Sequence, residues 1–108
     1  MCSFANTNTI VGVWRTGKIE SEWGPQITTL TISADGHATQ EIQFLEDNKF
    51  SMKVNGTYEL MKDSLICSFT DEHGGGFTVK SKIDFLSNDK LVLIIKDEIY
   101  EFKKYKIQ

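Results

Sequence analysis

The sequence predicts an all-β protein that folds as a small up-and-down antiparallel β-barrel of eight or nine strands. Turn-forming pairs such as Asp35-Gly36 and Asn55-Gly56 recur at intervals of about 7 to 13 residues. Between these turns, apolar and polar residues alternate with a period of two, which is typical of strands with one buried face. No window of the chain carries a convincing helical stripe, so even spacing of short strands indicates a sandwich or barrel.

The spacing of these turn-forming residues predicts nine strands. They are predicted at residues 10–18, 26–34, 37–46, 49–54, 56–61, 64–70, 77–86, 90–96 and 98–106. Only two connections are long: residues 19–25, which carry Trp23 before Gly24-Pro25, and residues 71–76, which end in three glycines. Short connections place sequence neighbours side by side, and closing such a meander into a barrel removes its exposed edges.

The clearest alternation lies in the second half of the chain. Phe77, Val79, Ile83 and Phe85 share one face of a predicted strand, while Lys80 belongs to the other. On the same basis we expect most of the large aromatic side chains to fill the barrel interior and to leave only a small pocket near the mouth. These residues are Trp14, Phe44, Phe50, Phe69, Phe77, Phe85 and Phe102.

Length and charge limit the range of functions. The 108 residues fit one domain, predicted at 10–108 after a polar N-terminal tail at 1–9. The formal net charge of −3 argues against nucleic-acid binding, which requires an excess of Lys and Arg. No run of about 18 apolar residues is present, so no membrane-spanning segment is expected.

The two cysteines, Cys2 and Cys67, do not form a disulfide framework. Cys67 alternates with Leu65 and Phe69 and is expected to be a small buried side chain without a bridge to Cys2. The start Met1-Cys2-Ser3 leaves two locations open. The protein is cytoplasmic as the chain stands, or it is a cell-envelope lipoprotein if Cys2 is a processed, lipidated start.

The segment Gly12-Val13-Trp14 opens the first predicted strand with the Gly-x-Trp pattern of lipocalins. Gly56-Thr57-Tyr58 and Tyr100-Glu101-Phe102 are also similar to segments of the short lipocalin-like domains of bacteria. The resemblance covers about residues 10–105. It implies an eight-stranded barrel in which Gly12 and Trp14 are structural and Trp14 plugs the closed end. Full lipocalins stack an Arg of the last strand on this Trp, a role that here would fall to Lys103 or Lys104.

The resemblance also assigns the two ends of the barrel. If strand one starts at the closed end, alternation of direction through the nine predicted strands places four connections at the mouth. These are 19–25, 47–48, 62–63 and 87–89. The connections at 35–36, 55–56 and 97–98 and the triple-glycine loop then lie at the closed end.

Residues capable of catalysis are poorly placed. Cys67 would need His37 or His73 as a base, but both histidines lie at predicted turns. Asp71-Glu72-His73 offers three potential metal ligands, yet consecutive side chains rarely converge on one ion. A barrel enzyme such as an isomerase or dehydratase would need convergent titratable groups on inward positions, and only Arg15 and Gln26 are polar candidates nearby. We therefore expect no enzyme activity, no metal and no cofactor.

Trp23 is the most informative residue for function, since a large aromatic in a loop either contacts a ligand or folds onto the core to seal it. We expect a non-catalytic binding module for a small hydrophobic ligand at the barrel mouth, with Trp23, Glu20, Glu22 and Arg15 as ligand-binding residues. The alternative is a protein-interaction or inhibitor domain that uses the outer surface of the barrel and binds no small ligand. Oligomeric state remains open.

Overall fold

The computed structural model describes residues 10–22, 24–46, 51–71 and 73–105, with the side chain of Ser21 excepted. Within these ranges the chain forms nine β-strands. These are β1 (Gly12–Thr16), β2 (Ile19–Ser21), β3 (Gly24–Ile32), β4 (His37–Phe44), β5 (Ser51–Met61), β6 (Ser64–Thr70), β7 (Gly76–Leu86), β8 (Lys90–Ile95) and β9 (Glu98–Lys104). The predicted tail 1–9, including Cys2, lies outside the described residues, as do Trp23, Phe50 and Glu72.

The strands form a closed antiparallel barrel, which confirms the predicted fold class. Strands β3 to β9 pair in sequence order, and β1 completes the circle by pairing with both β9 and β3. The remaining strand, β2, pairs with the first part of β3. Between β1 and β2 the Oγ1 of Thr16 accepts a hydrogen bond from the backbone N–H of Thr28 at 3.0 Å, so a side chain replaces the missing strand contact.

Closure is complete over only one half of the barrel. Strand β1 pairs with β9 through Trp14–Lys104, Arg15–Lys103 and Thr16–Phe102. Among the described residues, β2 pairs with β3 and makes no pairing with β9. A seam therefore separates β2 from the first residues of β9.

The closed end of the barrel is organised around Trp14, which is fully buried. Its indole Nε1 donates a hydrogen bond to the carbonyl of Ile10 at 2.8 Å. The ammonium of Lys104 lies 4.6 Å from the centre of the Trp14 ring and donates to the carbonyl of Val11 at 3.0 Å. Of the two lysines that the sequence left open, Lys104 therefore occupies the cation position on the Trp ring.

Gly12 permits this arrangement. Its φ of +147° favours glycine, and a Cβ at this position would lie 2.7 Å from Nζ of Lys104. The rest of the core is apolar and runs from this end up the barrel axis. It includes Ile10, Leu30, Ile32, Ala38, Leu65, Phe69, Ile83, Leu91, Leu93 and Phe102.

The prediction of two separate strands around Asn55-Gly56 was wrong, because β5 runs without interruption from Ser51 to Met61. Gly56 pairs with Ala38 on β4 and Phe69 on β6. A Cβ on Gly56 would lie 2.7 Å from the carbonyl carbon of Ser68, so glycine is required by close approach of two backbones. The Asn-Gly pair therefore marks a tight contact between strands instead of a turn.

This correction reverses the predicted ends for the second half of the chain. With β5 a single strand, the turns at 62–63 and 87–89 lie at the closed end with the 33–36 turn. The triple-glycine loop and the Lys96-Asp97 turn lie at the mouth, at the same end as the start of β3. Lys96 and Asp97 both have positive φ, as a two-residue type I′ hairpin requires.

The predicted loop 19–25 was also wrong, since most of it is strand. Ile19–Ser21 form β2, and β3 already begins at Gly24, so Glu20 pairs with Pro25. Pro25 is tolerated because it lies near the start of its strand, opposite a short edge strand.

The expectation of an interior filled by aromatic side chains was wrong for two residues. A β-bulge shifts the β7–β8 register between Ile83 and Phe85. Phe85 consequently pairs with Val92 on the outer face and is 45% exposed, whereas Ile83 points inward and is buried. Phe77 is 47% exposed at the mouth. The upper part of the barrel is therefore open.

Candidate functional site

The mouth of the barrel holds a cavity of about 500 Å³, within the range of small-molecule sites. Its walls come from β3, β4, β5, β7, β8 and β9, and apolar side chains contribute most of the surface. The lining consists of Gln26, Thr28, Gln40, Ile42, Met52, Val54, Asp71, Phe77, Val79, Ile95, Tyr100 and Phe102.

Strand alternation explains why these side chains converge. Gln26 and Thr28 on β3 precede Leu30 and Ile32, which are buried in the core on the same face. Gln40 on β4 follows Ala38, a buried residue two positions earlier. The strands thus carry apolar residues inward near the closed end and amides or hydroxyls inward near the mouth.

A recess of about 40 Å³ continues from the mouth cavity toward the barrel centre. Thr28, Gln40, Val79, Ile95 and Phe102 line both spaces, so the two are contiguous. Deeper contacts come from Leu65, Cys67, Phe69, Ser81 and Leu93. A ligand of the mouth can therefore extend an apolar group below the rim, which the aromatic-filled interior predicted from the sequence would have prevented.

Cys67 is a free thiol in this recess and is 5% exposed. Burial raises its pKa to about 11, because the apolar surroundings disfavour the thiolate. Nucleophilic cysteines require the opposite, a thiol whose pKa is lowered by a nearby cation or helix terminus. Cys67 is accordingly suited to packing against a ligand and remains protonated at neutral pH.

Two polar groups define the rim. The Oη of Tyr100 donates a hydrogen bond to Oε1 of Glu98 at 2.7 Å, and this bond, with burial, raises the pKa of Tyr100. In the loop after β6, Oδ1 of Asp71 accepts hydrogen bonds from the backbone N–H groups of His73 and Gly75, both at 2.9 Å. Asp71 therefore fixes the start of the glycine loop while its side chain contributes to the cavity wall.

The sequence-predicted ligand-binding residues are not brought together as one group. Glu20 and Glu22 are exposed at the mouth end, on β2 and in the turn after it. Arg15 lies on the outer face, where its guanidinium stacks 4.0 Å above the ring of Tyr105 and its Nε donates to Thr29. Trp23 lies outside the described residues, so its contact with a ligand stays a prediction.

The two histidines are exposed and lie apart from Cys67. His37 is exposed and its Nδ1 lies 3.0 Å from Oδ1 of Asp35, a contact that lowers the pKa of Asp35. His73 is exposed in the loop after β6, whereas Cys67 lies inside the barrel. Within the described ranges, no group of three or more His, Cys, Asp or Glu side chains could hold a metal ion.

Several lining residues were missed by the sequence analysis, above all Gln40, Ile95 and Tyr100. Alternation along β4, β8 and β9 carried the signal for all three residues. For Ile95 and Tyr100 it was hidden because the turn between β8 and β9 had been assigned to the closed end. In the part of the chain that the structure describes, no helix is long and apolar enough to cross a membrane.

Comparison with known proteins agrees with this architecture. No curated protein matches the chain. A lipocalin-like protein from Bacteroides uniformis has 16% identity and a TM-score of 0.63, covering 90% of this chain and 99% of its own. A second protein from Bacteroides uniformis, solved by NMR, has 17% identity and a TM-score of 0.64, with 95% and 94% covered. An uncharacterized protein from Bacteroides eggerthii has 15% identity and a TM-score of 0.57, with 88% and 98% covered.

The TM-scores and coverages of these three structures establish a shared fold. The family model for the lipocalin-like domain matches residues 10–93, which is most of the barrel from the Gly-Val-Trp segment to β8. The predicted resemblance is therefore confirmed, and the chain belongs to the lipocalin-like domain family.

Proposed function

We propose that this protein is a non-catalytic binding module that takes a small hydrophobic ligand into the mouth of its barrel. The observation that carries the proposal is the cavity of about 500 Å³, whose wall is mainly apolar and includes Phe77, Ile95 and Phe102. Pockets that combine apolar walls with a few polar groups are the usual sites for small molecules. Gln26, Thr28 and Gln40 supply those polar groups here.

Exposure of Phe77 supports the same function. A large aromatic side chain that is 47% exposed at the entrance of a cavity leaves apolar surface in water, and a bound ligand would cover it. We further propose that Trp23 adds to this surface, because its sequence neighbours Glu22 and Gly24 lie at the mouth end of the barrel. The amphipathic indole suits a rim position, with an apolar face and a polar edge.

The test compares two neighbouring residues of β8 that point to opposite faces. Ile95 lines the cavity, whereas Ile94 pairs with Ile99 on the outer face. We expect N-phenylnaphthylamine, an uncharged fluorescent probe, to bind saturably to the unchanged protein. Ile95→Trp fills the cavity and should weaken binding by about tenfold or more, equivalent to about 1.4 kcal/mol. Ile94→Trp adds the same side chain outside and should leave the affinity unchanged.

Thermal unfolding of both variants verifies that they fold. Probe binding that survives in Ile95→Trp and is lost in Ile94→Trp would move the site to the outer surface. Absence of saturable binding to the unchanged protein would contradict a hydrophobic site at the mouth.

The second candidate function is a protein-interaction domain that uses the outer surface. It is favoured by the apolar strip on β7, β8 and β9, where Phe85 pairs with Val92 and Ile94 pairs with Ile99. Ile99 is 70% exposed and Phe85 is 45% exposed. Substitution of Ile99 by Lys would abolish capture of a protein partner through this strip and would leave the mouth cavity intact.

A further inference from the structure

The charge of the mouth cavity restricts the chemistry of its ligand. Asp71 is the only charged residue among those that line it, and no Lys, Arg or His contributes to the wall that the structure describes. An anionic ligand such as a fatty acid would therefore place its carboxylate at the rim beside Asp71, where the described part of the wall offers no counter-charge. Like charges that are close together and lack a counter-charge repel each other, which is unfavourable.

Carboxylates outside the lining add to the negative charge. Glu98 lies one hydrogen bond from the wall, through the hydroxyl of Tyr100. The carboxylate of Glu46 reaches the start of β3, where a Cβ on Gly24 would lie 3.2 Å from Oε1 of Glu46. Lys53 and Lys96 are exposed cations at this end of the barrel, but neither contributes to the cavity wall.

Aromatic rings complete the pattern. Tyr100 and Phe102 on β9 line the cavity together with Phe77 on β7. The ring of Phe77 packs against the ring of Phe69 in a tilted arrangement, with their centres 5.5 Å apart. Aromatic faces attract ammonium groups, and nearby carboxylates strengthen this attraction.

We propose that the ligand of the mouth cavity is an amphiphile whose polar end is an ammonium group. The ammonium would lie at the rim near Asp71 and Tyr100, and the apolar chain would extend past Ile95 and Phe102 toward the recess. This assignment rests on the proposed binding function and adds the charge of the ligand to it. The side-chain amides of Gln26 and Gln40 can hydrogen-bond to a cation or to an anion, so they do not determine the charge of the ligand.

The experiment is a competition series against N-phenylnaphthylamine at low ionic strength, where screening is weak. Decyltrimethylammonium, decyl alcohol and decanoate share one alkyl chain and differ in the charge of the polar end. All are used below the concentration at which they form micelles. We expect the cation to displace the probe at the lowest concentration and decanoate at the highest. An equal or reversed order overturns the assignment of the ligand's charge.

Three variants locate the charge effect. Asp71→Asn and Glu98→Gln retain an oxygen that can accept the hydrogen bonds described above. Each substitution should weaken the affinity for decyltrimethylammonium by about two- to fivefold, which is the range for one exposed ion pair. The affinity for decyl alcohol should not change. Glu59→Gln removes an exposed carboxylate from β5 near the closed end and should change the affinity for neither ligand. An equal loss for decyl alcohol in both mouth variants would show a purely structural role and overturn the proposal.

The outcomes separate the two proposals. If the uncharged probe binds in an Ile95-dependent way while decanoate competes best, the binding function stands and the cationic ligand is rejected. If the uncharged probe does not bind, the binding function itself is rejected. If Asp71→Asn unfolds because its loop requires the carboxylate, Glu98→Gln alone decides the outcome.

Discussion

Gly56→Ala tests the continuity of β5, on which the assignment of the barrel ends depends. In the structure Gly56 lies between β4 and β6 with a φ outside the positive range, and an added Cβ would lie 2.7 Å from the carbonyl carbon of Ser68 and 2.8 Å from Cα of Phe69. These are backbone atoms, which cannot rotate away. Ordinary contacts to a Cβ begin at about 3.4 Å, so β5 and β6 would have to separate by several tenths of an ångström or more.

We expect a loss of about 3 kcal/mol in the free energy of unfolding, at the upper end of the range for overpacked sites. Urea denaturation followed by near-ultraviolet circular dichroism measures it, provided that the slope of the transition is unchanged. Gly17→Ala is the matched control, because no atom lies within 4 Å of its added Cβ and its φ is not positive. The control should stay within about 0.5 kcal/mol of the unchanged protein.

A loss below about 1 kcal/mol for Gly56→Ala would refute the close approach of β5 and β6. Gly56→Asn tests the alternative explanation, a turn at Asn55-Gly56. Asparagine tolerates the left-handed conformation of a hairpin turn, so it would be accepted if Asn55-Gly56 formed a turn. In a continuous strand it meets the same backbone atoms as alanine and should destabilise at least as much.

Three further predictions concern single side chains. Trp14→Ala should cost about 3–5 kcal/mol in a denaturant titration, because it removes a fully buried aromatic side chain at the closed end; a loss below 1 kcal/mol would contradict that role. Cys67 has a folded-state pKa of about 11 against an ordinary value of 9.0, so the folded state holds its proton more tightly. The contribution of the Cys67 thiol to stability is complete below pH 9 and should fall by about 2–3 kcal/mol as the pH rises through 11. The difference in unfolding free energy between the unchanged protein and Cys67→Ala, followed against pH, measures this contribution. The comparison cancels the contributions of Tyr58 and Tyr100, whose pKa values are also raised. Trp23→Ala should abolish quenching of tryptophan fluorescence by a hydrophobic probe with little loss of stability; no quenching, together with a loss of several kcal/mol, would identify Trp23 as a plug.

Most of the fold could be predicted because alternation and turn residues are local signals. Lys62-Asp63 and Lys96-Asp97 were recognised as turns, and positive φ values occur at Lys62, Lys96 and Asp97. Asn55-Gly56 misled for a physical reason. A turn requires glycine for its conformational freedom, whereas a strand in close contact with its neighbour requires glycine because it lacks a Cβ. A single sequence does not distinguish these two requirements.

The candidate site was harder to predict because it depends on register. A single bulge between Ile83 and Phe85 moves one aromatic side chain from the interior to the surface. Together with the exposure of Phe77, this leaves space that the aromatic content of the chain did not indicate. The inward positions of Gln26 and Gln40 follow from alternation, but their meeting in one cavity requires the closed barrel.

The pairing of β1 with β9 joins the two ends of the described chain. Lys104 donates its hydrogen bond to Val11 across a separation of 93 residues, and the same lysine covers the ring of Trp14. Such non-local contacts raise the contact order of the fold and slow its formation, since a long loop must close before they stabilise anything. During synthesis the strands from β3 to β8 can pair as each emerges, but Trp14 gains its final partner only after β9 has left the ribosome. Until then the chain is an open sheet whose first and last strands expose unpaired edges, and this is the stage at which it is most prone to aggregate.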